Sequence, residues 1–213
     1  MDLTHPERTL APTLDLPVLA CLGRQDRAWT TRELADATGA TIPGVRQALR
    51  RLSTSGLVHE SQLGRIRGYR FNRSHVMASA LLEIADAPAV LRHRITSGIS
   101  DWVIPARLVL LFGSWARGES DDQSDVDLLV LHSDDLTSSE QDTWEEQVES
   151  LKEDVLSWSG NSCDVLSFSL ADWTEHRRRD DPISRAVDSD AIVLSGRRSL
   201  LNRHGSPVGA TRS

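Results

Sequence analysis

The feature that most constrains this chain is the stretch from Leu108 to Val130, where one apolar run stops at Gly113-Ser114 and a second, Leu128-Leu129-Val130, follows Asp125 and Asp127. Alternate side chains of a strand share a face. A strand beginning at Asp125 therefore points Asp125 and Asp127 one way and sends Val126 and Leu128 into a core. Paired carboxylates repel unless a cation neutralises them, and hard oxygen ligands beside phosphates suit Mg²⁺ (or Mn²⁺) with water completing the octahedron. Gly113 and Ser114 stand where a strand ends and a helix should begin. Backbone N–H groups and a helix dipole gather there, glycine allows close approach, and the serine hydroxyl adds a donor. A triphosphate fits that description. Asp164 heads the next apolar run, Val165-Leu166, and is the leading third carboxylate.

The surrounding pattern alternates strand and helix. Strands are expected over Arg107–Phe112, Asp125–His132, Cys163–Phe168 and Ala191–Leu194, with helices starting at Gly113, over Ser138–Ser157 and over Leu170–Arg179. This order predicts an α/β (α+β) domain at residues 103–196. Residues 197–213 hold four Arg and no acid among Gly, Pro and Ser, and are expected to be a disordered tail.

The front of the chain reads differently. Asp15 and Pro17 open a short helix that Gly23 stops, Thr30-x-x-Glu33 is a capping box for a second ending near Gly39, and a third starts at Thr41 and closes at Gly56. In the third helix Val45, Leu49 and Leu52 form the buried stripe, leaving Arg46, Gln47, Arg50 and Arg51 largely off it. Two β-like runs, Leu57–Glu60 and Tyr69–Asn72, flank a glycine-bearing hairpin. Helical linkers are expected over residues 76–102, broken near Asp86-Ala87-Pro88. Charge divides the same way: residues 1–75 carry 11 Arg and 7 acids, net +4, and the rest carries 13 basic and 24 acidic residues, net −11. Different partners are expected for the two parts.

Three helices and a hairpin over residues 14–73, with Leu52-x-x-x-Gly56-Leu57-Val58 ending the third helix, resemble the winged helix-turn-helix domains of bacterial transcription regulators; the domain is placed at residues 1–75. The resemblance implies DNA as partner, with Arg46, Gln47 and Arg50 in the major groove and Arg65 and Arg67 on the wing. Such regulators commonly read palindromes as dimers, so a homodimer is expected. A solvated arginine face on a docking module is the alternative.

Ten residues separate Ser114 from Asp125 and include Ala116-Arg117-Gly118, and Ser124-Asp125-Val126-Asp127-Leu128-Leu129-Val130 follows. This arrangement resembles the signature of the DNA polymerase β-like nucleotidyltransferase superfamily, in particular its minimal members, over residues 103–196. The resemblance implies a mixed sheet with packed helices and an NTP substrate. It also implies triphosphate binding at Gly113 and Ser114, divalent metal on Asp125 and Asp127, and Asp164 as third ligand or base. Arg117 and Ser124 match further family positions near the nucleotide. In small relatives the acceptor is a protein hydroxyl, as in antitoxins that modify a partner toxin, an RNA end, or a small molecule. The second reading is a transcription regulator whose transferase domain binds nucleotide without turnover.

Other features take plainer readings. A calcium loop from Asp121 would need Gly and Glu where Val126 and His132 stand. Cys21 and Cys163 form no metal motif, and the absence of a long apolar stretch or leader pattern leads to a cytoplasmic expectation. Trp115, Trp144, Trp158 and Trp173 read as packing residues, and His176-Arg177-Arg178-Arg179 as a solvated helix face.

Overall fold

The computed structural model describes residues 1–202 apart from 11, 12, 65, 180 and 181. The chain divides into two compact units: residues 4–89 with Asp2, and the chain from Val90 onward with Met1 and Leu3.

The first unit holds α1 (Glu7–Leu10), α2 (Asp15–Arg24), α3 (Thr31–Thr38), α4 (Ile42–Thr54), β1 (Val58–Leu63), β2 (Ile66–Phe71) and α5 (Ala78–Ala85). The capping box forms as expected: Glu33 N–H donates to Thr30 Oγ1 at 3.2 Å, and Thr30 N–H donates to Glu33 Oε2 at 2.7 Å. Thr41 caps α4 by accepting from Gly44 N–H, and Pro43 sits in the first turn, where its missing donor costs nothing. Val45, Ala48, Leu49 and Leu52 bury one stripe of α4 against Val18, Leu22 and Leu34, each large side chain contributing about 1.5–3 kcal/mol. β1 and β2 pair antiparallel from Val58↔Phe71 to Leu63↔Ile66, longer than expected. Trp29 exchanges two backbone hydrogen bonds of 2.8 Å with Tyr69, a local pairing with no sequence periodicity to announce it. Asp15 opens α2 but does not cap it. It lies inside the first turn of α2 after Leu14, and its carboxylate binds the Arg51 guanidinium at 2.5 and 3.0 Å.

α6 (Ala87–Ser100) leads into β3 (Leu108–Phe112), α7 (Gly113–Arg117), β4 (Val126–His132), α8 (Ser138–Ser159), β5 (Cys163–Ser169), α9 (Leu170–Arg177), α10 (Pro182–Asp190), β6 (Ile192–Gly196) and a 3-10 helix at Arg198–Asn202. The strands run β5-β4-β3-β6; β4 and β5 are parallel and the other pairs antiparallel, which makes the sheet mixed. β4 is covered on both faces, so its run is almost wholly apolar. Val126, Leu128 and Val130 pack with Ile95 of α6 and Trp144 and Val148 of α8, while Leu129 and Leu131 pack with Trp173 of α9 and Val187 of α10. Among the described residues no helix is long and apolar enough to cross a membrane.

The expected tail needs correction at its start. Arg198–Asn202 is helical, Leu201 is buried beside Trp173, and the Arg198 guanidinium donates to the carbonyls of Val187, Asp188 and Ala191 at 2.7–3.1 Å. An arginine satisfying the last carbonyls of α10 anchors the segment. Residues 203–213 lie outside the described residues.

Candidate functional site

Strand register assembles the acidic site. Asp127 lies opposite Phe112 on β3 and opposite Asp164 on β5, and neighbouring strands are about 4.8 Å apart. In-register partners share a face, so Asp127 and Asp164 stand side by side on the α9 and α10 side of the sheet. Asp125 immediately precedes β4. The Ser162 hydroxyl donates to its Oδ1, Val126 N–H donates to the Ser162 carbonyl at 2.8 Å, and the buried Asn161 amide donates to the Ser124 carbonyl at 2.8 Å.

Gly113 closes the other side. Its φ is +73°, and a Cβ there would lie 2.8 Å from the Asp127 Cγ and closer still to Oδ2. Both the backbone conformation and the carboxylate thus require glycine. Desolvation of the half-buried Asp127 carboxyl raises its pKa; the charges of Asp164 and Asp125 raise it further, and Arg117 opposes them. The site therefore concentrates negative charge that the protein's own cations leave only partly balanced.

At the start of α7, Phe112 occupies the N-cap position with no side-chain cap, and Ser114 follows Gly113 half-buried. Arg117 is held by Glu119 Oε2 at 2.7 Å and Asp190 Oδ2 at 3.7 Å. The Ser124 hydroxyl donates to Asp121 Oδ1 and accepts from Asp121 N–H, both at 2.9 Å, so it closes the turn before Asp125. Gly113, Asp125, Asp127 and Asp164 are brought together; Ser124 and Arg117 lie nearby with their polar atoms engaged elsewhere. Ser162, Asn161 and Asp190 were not foreseen. A polar Asn-Ser pair directly before a strand was the available signal for the first two.

Among the described residues no three His, Cys, Asp or Glu side chains converge as a ready-made metal cage. Mg²⁺ is ordinarily held by one or two carboxylates together with substrate phosphates and water, so an open acidic pair beside an uncapped helix start fits that ion. Cys163, beside Asp164, has its thiol pushed up to about 12, first by burial and then by the Asp164 charge, and is inert as a ligand at neutral pH.

In the first unit Arg46, Gln47 and Arg50 are exposed along α4, and Arg67 lies across the hairpin. Arg46, Arg50 and Arg67 line a groove of about 800 Å³ with Thr30, Arg32 and Ile66. Arg67 is within 3.4 Å of Glu60. Arg65 lies outside the described residues. Arg32 and Ile66, at the groove wall, were missed by reading only the third helix and the wing arginines.

Comparison with known proteins follows the same division. Residues 101–180 match the nucleotidyltransferase domain model, and residues 16–61 match the IclR helix-turn-helix domain model. No curated protein matches the chain. A solved toxin–antitoxin with AMP-PNP aligns at 21% identity over 52% of this chain and 77% of its own, with a TM-score of 0.35. A mutant of the toxin–antitoxin MntA-HpeT aligns at 20% identity over 51% of this chain and 75% of its own, with a TM-score of 0.34.

Proposed function

Because the chain joins an N-terminal helix-turn-helix domain to a nucleotidyltransferase domain, we propose that it transfers a nucleoside monophosphate from an NTP to an acceptor hydroxyl and binds DNA through its first unit. The observation that carries the transferase reading is the close approach of the Asp127 carboxylate to Gly113, with Asp164 in register beside it. That contact sets carboxylates against the helix start that would face phosphates.

In this reading the acceptor oxygen attacks the α-phosphorus, the bond from that phosphorus to the β-phosphate bridging oxygen breaks, and pyrophosphate leaves. The chain supplies position and charge, which is most of what such a transfer requires. The N–H groups at the start of α7 and the Ser114 hydroxyl hold phosphate oxygens. Asp125 and Asp127 are the residues that would hold the metal, with Ser162 fixing the orientation of Asp125. A bound divalent ion would neutralise phosphate charge as the leaving group departs. Asp164 completes the ligand set or takes the acceptor proton. Arg117 adds positive charge near Asp127, and Ser124 acts by holding the turn that presents Asp125.

The second reading keeps the basic groove as a DNA site and has the nucleotidyltransferase domain sense nucleotide without turnover. One experiment separates them: the protein is incubated with each α-labelled NTP and Mg²⁺ or Mn²⁺, with and without host lysate, beside Asp125→Asn/Asp127→Asn. Label passing to protein, RNA or small molecules only with intact aspartates supports the transferase and reveals the acceptor class. NTP binding without any transfer would move the assignment to the sensor.

A further inference from the structure

The three carboxylates of the site are not held in the same way. Asp127 and Asp164 are placed by strand register, but Asp125 lies one residue ahead of β4, and the ladder to β5 begins only at Val126↔Cys163. Its place is set by the turn behind it and by the connector from α8 to β5, residues 160–162. We propose that Asn161 is the positioning residue that keeps Asp125 where a divalent cation needs it, an inference that rests on the transferase reading of the site.

The connector is built from local chemistry. Gly160 ends α8 in the left-handed conformation, with φ of +73°, and the Asn161 N–H donates to Ser159 Oγ at 3.1 Å. The Asn161 side chain is buried, with the residue 4% exposed. Its Nδ2 donates to the carbonyls of Ser124 at 2.8 Å and Met1 at 3.0 Å, and its Oδ1 accepts from the Met1 nitrogen at 2.9 Å. Two carbonyls facing one side-chain nitrogen require two hydrogens, which a primary amide has and a carboxylate or hydroxyl lacks. Leu3, buried in the same apolar cluster as Val126, anchors Met1 beside the amide.

Three successive residues are thereby gripped from one side. Asn161 takes the Ser124 carbonyl, the Ser162 hydroxyl takes one carboxylate oxygen of Asp125, and the Ser162 carbonyl takes Val126 N–H. Ser162 orients the carboxylate, and Asn161 fixes the backbone that carries it. Removing the amide leaves the Ser124 carbonyl without its donor and frees the chain just ahead of Asp125. Asp127 and Asp164 stay in register, so the loss falls on Asp125.

Mn²⁺ binding to the full chain, read from the electron paramagnetic resonance of the free ion, tests this without relying on turnover. Asn161→Ala should weaken Mn²⁺ binding by about tenfold or more, as is usual when the partner of a metal ligand is removed, and transfer should recover as Mn²⁺ is raised. Asn161→Ser, smaller and still polar, should do the same and serves if the alanine variant does not fold. In an Asp125→Asn background Asn161→Ala should have no further effect on Mn²⁺ affinity. Ile99→Ala, which empties a buried position of the same core on α6, should lower the melting temperature and leave Mn²⁺ affinity unchanged. The proposal is overturned if Asn161→Ala and Asn161→Ser bind Mn²⁺ as the parent does, if Asn161→Ala weakens binding equally without Asp125, or if Ile99→Ala weakens it as much. A parent that binds no Mn²⁺ overturns the transferase reading as well, whereas Asp125-dependent binding kept by the Asn161 variants overturns the positioning role alone.

Discussion

Gly39 in the first unit and Gly113 in the second share a left-handed backbone, with φ of +65° and +73°, yet they serve different ends. A Cβ on Gly39 would meet nothing within 4 Å, whereas one on Gly113 would collide with Asp127. The first glycine ends a helix and the second makes room for a carboxylate. The same contrast runs through both units: the helix-turn-helix unit carries its candidate groove side chains Arg46, Gln47 and Arg50 on an exposed surface, and the second unit sets its candidate site into the end of its central strands.

Replacing each glycine by alanine tests this contrast and gives the largest expected effect. Gly39→Ala should cost about 1 kcal/mol, the strain of a left-handed non-glycine residue. Gly113→Ala should cost more than that in thermal unfolding and lower nucleotidyl transfer by about 100-fold or more, because the Asp127 carboxylate must move from its place. Equal losses in the two variants would show that the carboxylate contact has no consequence.

Asp127→Asn should separate activity from stability. With its folded pKa above the ordinary value, Asp127 contributes fully to stability only below its unfolded pKa, and that contribution is lost as pH rises through the folded value. At neutral pH without metal the ionised carboxylate therefore weakens the fold, and asparagine should raise the melting temperature while abolishing transfer. Mg²⁺ should raise the melting temperature of the parent and not of the variant. A lower melting temperature for Asp127→Asn in metal-free buffer would contradict this account of the site.

The two units also differ in how far they could be read from sequence. Helices α3 and α4 were legible because their caps are local: Thr30 with Glu33, and Thr41 ahead of Pro43. In the second unit the Gly113-Ser114 to Asp127 segment was legible because strand alternation and a chain reversal lie within one short stretch. Ser162 on Asp125 and Asp190 beside Arg117 were not, since both contacts depend on how distant segments come together. α10 escaped notice because its buried face amounts to Ser184 and Val187, too little for a clear period. The 3-10 helix looked like tail for a similar reason: Leu200 and Leu201 are a short apolar pair with no period, and the carbonyls that Arg198 binds exist only once α10 has formed.

The surface of the first unit should be separable from its core. Arg46→Ala and Arg50→Ala should each reduce the salt dependence of DNA binding by about one counterion and weaken affinity. Their unfolding free energies should stay within about 0.5 kcal/mol of the parent, as for other exposed positions. DNA affinity unchanged in the double variant would favour the docking-module alternative.

The smallest effect is expected at the start of α3. The Glu33 carboxyl is lowered to about 2 from 4.5, first by the Thr30 backbone N–H, then by Arg27 and the Thr30 hydroxyl. A depressed folded value gives stability that is present above the unfolded pKa and is lost as pH falls from about 4.5 toward 2. Side-chain exposures of 41% for Arg27 and 43% for Glu33 mean solvent screens their pair, so the net contribution should be about 0.5 kcal/mol. Urea unfolding of the parent and Glu33→Gln at pH 7 and pH 3 measures it: the variant should be weaker at pH 7, and the gap should shrink at pH 3. A gap that stays constant would mean that Glu33 acts through packing and not through its charged hydrogen bonds.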